Sequence, residues 1–142
     1  MQLTHRLLSA LLAAVLLLSP MYATDPVFTG AFEGTGRACY GSLSIRTRTI
    51  SWLTPFSQCQ KMLYEVIERE QKGNQRQFTF QLKQHSKECR FEVLYLYHPD
   101  TPNPDTDWHV IGYSSVQDYH ADKQNGYKGD APGSQSCSLV TR

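Results

Sequence analysis

The chain has 142 residues, 14 Lys and Arg against 13 Asp and Glu, and a formal net charge of +1. That length suits one domain rather than several. The balanced charge gives no electrostatic pull toward nucleic acid or anionic lipid, because phosphate binding depends on an excess of Lys and Arg.

Residues 1–23 have the three parts of a secretory signal peptide. His5 and Arg6 make a short basic start, 7–18 is nearly all Leu, Ala and Val, and 19–23 ends on small Ala23. The apolar core is shorter than the roughly 20 residues of a bilayer span, which predicts removal rather than anchoring. No cysteine marks the cleavage point, so a lipid anchor is not expected. The mature chain is expected to start at Thr24 and to be secreted or periplasmic. Asn74, Asn103 and Asn125 are not followed by the residues of an N-glycan acceptor.

Segments 27–33 and 42–46 come next, separated by Gly34-Thr35-Gly36. Leu43 and Ile45 alternate with Ser42, Ser44 and Arg46, the period of two that marks a half-buried strand. Segment 50–54 is a third such run. Segment 58–72 reads two ways. Met62, Leu63, Val66 and Ile67 recur at helical spacing, with Ser57 and Gly73 as possible caps. Tyr64, Val66 and Ile67 are strand formers between neighbours that read as strands, and this favours a strand. Phe78, Phe80 and Leu82 alternate with Thr79, Gln81 and Lys83; Phe91, Val93, Tyr95 and Tyr97 share a face; Trp108 and Val110 alternate with His109 and Ile111. Segment 137–141 is last. The stretch 117–136 holds almost nothing to bury and reads as a solvated polar loop.

About eight short strands with turn residues between them predict an all-β domain over 24–142. The expected form is a small antiparallel up-and-down β-barrel, which leaves no exposed edge. A β-sandwich, or a barrel with one helix at 58–72, is the alternative. Phe78, Phe80, Phe91, Val93 and Tyr95 are expected to fill the interior.

Cys39, Cys59, Cys89 and Cys137 all follow the leader, an even set for an oxidising compartment. Alternating strand direction brings all four to one end of such a barrel. A hairpin turning near Thr47 sets Cys39 opposite Phe56, so Cys39–Cys59 and Cys89–Cys137 are the expected disulfides. No CxxC or zinc-finger spacing competes with that reading.

Catalytic signals are weak. Ser114, Ser115, Asp118 and His120 lie close in sequence but form no GxSxG elbow. Glu68 with Glu70, and Asp105 with Asp107, are carboxylate pairs only by proximity along the chain. The polar run from His98 to His109 matches no EF-hand and no HExxH motif, so neither a metal nor another cofactor is expected. The expected function is a non-catalytic binding module for another protein, in the manner of an inhibitor. A carrier of a small apolar ligand is the alternative, and a small hydrolase comes third. Binding is expected at the end opposite the cysteines, through Arg46, Arg48, Tyr97, Asp100, Asp105, Asp107 and Trp108.

Overall fold

A computed structural model describes residues 26–142, so the expected leader lies outside the described residues. Eight strands form a closed antiparallel barrel in which each pairs with its neighbours in sequence. They are β1 (Gly30–Gly34), β2 (Gly41–Ile45), β3 (Thr49–Thr54), β4 (Ser57–Lys72), β5 (Gln75–Leu82), β6 (Val93–His98), β7 (Trp108–Tyr113) and β8 (Gln135–Thr141). β1 closes the ring on β8 through Phe32–Thr141, Glu33–Val140 and Gly34–Leu139. The up-and-down barrel read from the alternation is the fold.

The ambiguous segment is strand throughout its 16 residues, with no helix at 58–72. Its apolar residues do not share one buried face, since Met62 is buried while Leu63 and Val66 are exposed, and its pairing with β5 shifts register between Val66 and Glu68. One extra residue there breaks the alternation and bends the strand. β4 and β5 run on together to a tip at Gly73, whose φ of 61° is a left-handed turn conformation that suits glycine.

The interior is filled with side chains. Phe32, Leu43, Ile45, Ile50, Trp52, Phe80, Leu94, Leu96 and Leu139 are all at most 2% exposed. A second apolar cluster lies outside the barrel wall, with Val93, Tyr95, Ile111, Tyr113 and Tyr119 at its centre. This corrects the expected interior set. Phe78, Phe80 and Phe91 do point inward, but Val93 and Tyr95 point outward. β6 is buried on both faces, and a run such as Val93-Leu94-Tyr95-Leu96 gives no alternation to tell them apart.

The cover on that outer face is a helix, α1 (Val116–Gln124), within the stretch expected to be a solvated loop. The Ser115 hydroxyl caps it by accepting from the Asp118 amide at 3.1 Å. Only Tyr119 and Asp122 are buried from it, one helical turn apart, so the segment shows no apolar stripe in sequence.

The four cysteines gather at one end, as the strand directions require, but the pairs are Cys39–Cys137 and Cys59–Cys89. The expected pairing, Cys39–Cys59 and Cys89–Cys137, is therefore corrected. Two long connections decide it. The 35–40 loop folds back over Gly34, where a Cβ would lie 1.8 Å from the Cys39 carbonyl oxygen. That brings Cys39 to β8 across the closure. The 83–92 connection crosses the start of β4, where the Gln58 amide donates to the Glu88 carbonyl at 2.8 Å, and so delivers Cys89 to Cys59.

Candidate functional sites at the two barrel ends

The end opposite the disulfides carries the β2–β3 turn, the β4–β5 tip and the β6–β7 loop. Arg46 and Arg48 lie exposed on the first of these, and the Tyr64 hydroxyl donates to the Arg46 carbonyl at 2.6 Å. The β6–β7 loop is four strands away around the ring, so topology puts the two arginines across the mouth from the three aspartates. Asp100 sits beside the tip, its Oδ1 3.7 Å from where a Gly73 Cβ would stand. The Asp105 carbonyl accepts from the Thr141 amide at 3.1 Å. The Asp107 carboxylate accepts from Thr101 at 3.3 Å and from Thr106 at 3.4 Å. None of these five charges forms an ion pair among the described residues.

Trp108 is only 4% exposed, and its indole N–H donates to the Pro104 carbonyl at 3.1 Å. It forms the wall of the mouth and does not project from it. Tyr97 lies on the outer face of β6, half-buried between Tyr95 and His109, with ring centroids 5.3 and 4.9 Å away. The seven residues expected to act together are thus divided among two sides of the rim, a buried wall and the outer surface.

The polar run from His98 to His109 is likewise spread over several partners. His98 is buried, with Nδ1 3.3 Å from the Asn74 carbonyl oxygen and Nε2 3.0 Å from that of Asn103. It ties the β4–β5 tip to the β6–β7 loop. Burial lowers the pKa of His109 and the His98 charge adds to this, while Asp107 opposes it. Among the described residues, no group of three or more His, Cys, Asp and Glu side chains is placed to hold a metal ion. The hydroxyl group of Ser114 donates to the Pro132 carbonyl at 3.2 Å, and that of Ser115 serves as the α1 cap.

On the outer face, Glu68 Oε2 accepts from the Tyr119 hydroxyl at 2.6 Å and from Lys123 at 2.7 Å. Burial pushes the Glu68 carboxyl up, but these donors and the nearby His120 charge outweigh it and hold the pKa below its ordinary value. Tyr127 stacks flat on Tyr95 at 4.1 Å. These side chains anchor α1 to the wall, beside a cleft of about 300 Å³ lined by Glu70, Gln77 and Lys123 among others.

The stapled end presents the residues that sequence reasoning missed. Tyr40 is 78% exposed and Phe56 is 60% exposed. Each lies close in sequence to a bridged cysteine, Tyr40 next to Cys39 and Phe56 shortly before Cys59. Gly41 packs against Leu53 and Thr54, so the two rings leave the barrel on adjacent connections. Ser57 fixes the second of these, donating to the Glu88 carbonyl at 3.4 Å and accepting from the Arg90 amide at 3.0 Å. The available signal was an aromatic residue beside a cysteine, inside a turn rather than an alternating run.

No family model matches the chain, and neither a curated protein nor a solved structure matches it. Any functional reading rests on the residues themselves.

Proposed function

We propose that this chain is a secreted or periplasmic, non-catalytic binding module that engages another protein through the loops at its stapled end. The observation that carries the reading is Tyr40 with Phe56. Both are large rings left exposed, Tyr40 next to bridged Cys39 and Phe56 three residues before bridged Cys59, in a turn that the Thr54 hydroxyl holds through the Phe56 and Ser57 amides. Aromatic residues are enriched among interface hot spots. A loop already rigid in the free protein loses less entropy on binding, so its contacts contribute more to affinity. Among the described residues the open end offers mixed charge without a comparably exposed ring, and its Trp108 is buried. Two disulfides are typical of proteins from oxidising compartments, which supports export. The filled interior favours surface recognition over a carrier cavity.

The test is capture from a native extracellular or periplasmic extract, with wild-type protein and four single variants as bait. Tyr40→Ala and Phe56→Ala are expected to lose the captured protein while melting like wild type, since exposed side chains contribute little to stability. Arg48→Ala and Asp100→Ala are expected to keep it. The opposite pattern would return the interface to the open end.

A further inference from the structure

Before β1 begins, the chain lays Phe28 across the open mouth of the barrel. The Phe28 ring stacks on Phe78 at 4.2 Å with 21° between planes, and lies 5.7 Å from Trp108. Two residues earlier, the Pro26 carbonyl accepts from Arg69 Nη1 at 3.1 Å. The same guanidinium stands 5.8 Å from the Phe78 ring centre. Val27, between the two contacts, is 49% exposed. The segment is thus held at two points, one ring and one backbone carbonyl.

The hold is slight. The first strand pair of β1 is Gly30 with Ile45, so 26–29 has no place in the sheet ladder. Phe28 is only half-buried. Segments with few buried contacts and few backbone hydrogen bonds open most readily. The site they cover continues beyond them. A cleft of about 270 Å³ runs past Phe28 along Arg76, Pro104 and Trp108. It adjoins another of about 160 Å³ that shares those three residues and reaches His98 and Thr101.

We propose that the slot formed by Phe78, Trp108 and Arg69 is a binding site for a peptide segment of a partner protein, and that Pro26–Phe28 occupies it as a built-in competitor. An aromatic ring and a backbone carbonyl two residues before it form a peptide pattern. The adjoining clefts have room for further residues of an extended chain. Arg76 lines both and forms no ion pair among the described residues, so an acidic residue following the aromatic one is favoured. This slot lies at the opposite end of the barrel from Tyr40 and Phe56, so it does not rest on the function proposed above.

The probe is a labelled acetyl-Pro-Val-Phe-Asp-amide peptide, followed by fluorescence anisotropy with the exported protein. Phe28→Ala removes the competitor and is expected to bind at least tenfold tighter than wild type, because apparent affinity scales with the fraction of open sites. The peptide with Ala in place of Phe is expected to bind at least tenfold more weakly. In wild type, excess peptide must also abolish nuclear Overhauser contacts between Phe28 and Phe78, and this arm stands even if Phe28→Ala folds poorly. Equal affinity of wild type and folded Phe28→Ala, or no preference for the Phe peptide, would overturn the proposal. So would wild-type dimerisation that Phe28→Ala abolishes, which would give the slot to a second copy of this chain.

Discussion

The Tyr113 hydroxyl donates to Oδ2 of Asp122 at 2.6 Å, joining α1 to the outer face of β7. The same oxygen accepts from the Gly129 amide at 2.9 Å, so one buried carboxylate organises both the helix and the loop after it. Its other oxygen, Oδ1, is buried without a partner among the described residues. Replacing Asp122 by Ala leaves the Tyr113 hydroxyl and the Gly129 N–H without acceptors. Each unsatisfied group costs about 1–3 kcal/mol, so a loss of about 3 kcal/mol is expected in urea unfolding. Asp122→Asn keeps one acceptor and is expected to lose less. If Ala and Asn variants unfold alike at the wild-type midpoint, this carboxylate does not hold α1.

Alkaline pH tests the same outer cluster by another route. Burial raises the hydroxyl pKa of Tyr95, Tyr113 and Tyr119, and the acceptors Asp122 and Glu68 add to this at Tyr113 and Tyr119. Above about pH 10 the unfolded chain releases these protons while the folded chain keeps them. Stability from the cluster is therefore complete below about pH 10 and falls as pH rises further. Urea unfolding followed from pH 8 to pH 11 is expected to show that decline, with a shallower slope in Tyr119→Phe. A flat profile in wild type would contradict the burial of these hydroxyls.

The disulfides close loops of different length, with sequence separations of 98 for Cys39–Cys137 and 30 for Cys59–Cys89. In the chain-entropy account their removal costs about 4.7 and about 3.7 kcal/mol respectively. The Cys39→Ser/Cys137→Ser protein is expected to be the less stable of the two double variants. Non-reducing peptide mapping must recover these two links. A peptide joining Cys39 to Cys59 would refute the geometry of both stapled loops.

Much of the barrel was legible because its signals are local. Phe78-Thr79-Phe80 alternates, and Gly73-Asn74 marks a tip, without reference to anything distant. The cysteines show where local reasoning stops. Strand direction gathers them at one end, but their partners depend on how the 35–40 and 83–92 connections cross that end. Helix α1 was hidden for a related reason: its anchors are single side chains, Tyr119 on Glu68 and Thr79, and Asp122 on Tyr113. Such contacts across the wall leave no periodic trace. Trp108 is expected among the binding residues yet is buried, because a strand end can face the mouth or the core, and spacing does not distinguish them.

Gly112 tests the packing of the interior itself. It pairs with Leu94 on β6. A Cβ at Gly112 would stand 2.6 Å from Trp52 and 2.8 Å from Phe91. Those two rings stack at 4.9 Å, and both are nearly inaccessible to solvent. Neither is a flexible chain end that can swing aside. Within a strand, Gly→Ala ordinarily stabilises by about 0.5–1 kcal/mol through the unfolded chain. Here overpacking costs about 1–3 kcal/mol and opposes that gain. Gly112→Ala is expected to be destabilising by about 1–2 kcal/mol and to weaken the near-ultraviolet circular dichroism of Trp52. Trp52→Phe shrinks the opposing ring, so the double variant is expected to lose less than the sum of the single losses. Additive losses, or a neutral Gly112→Ala, would mean that the Trp52–Phe91 stack does not depend on the missing side chain.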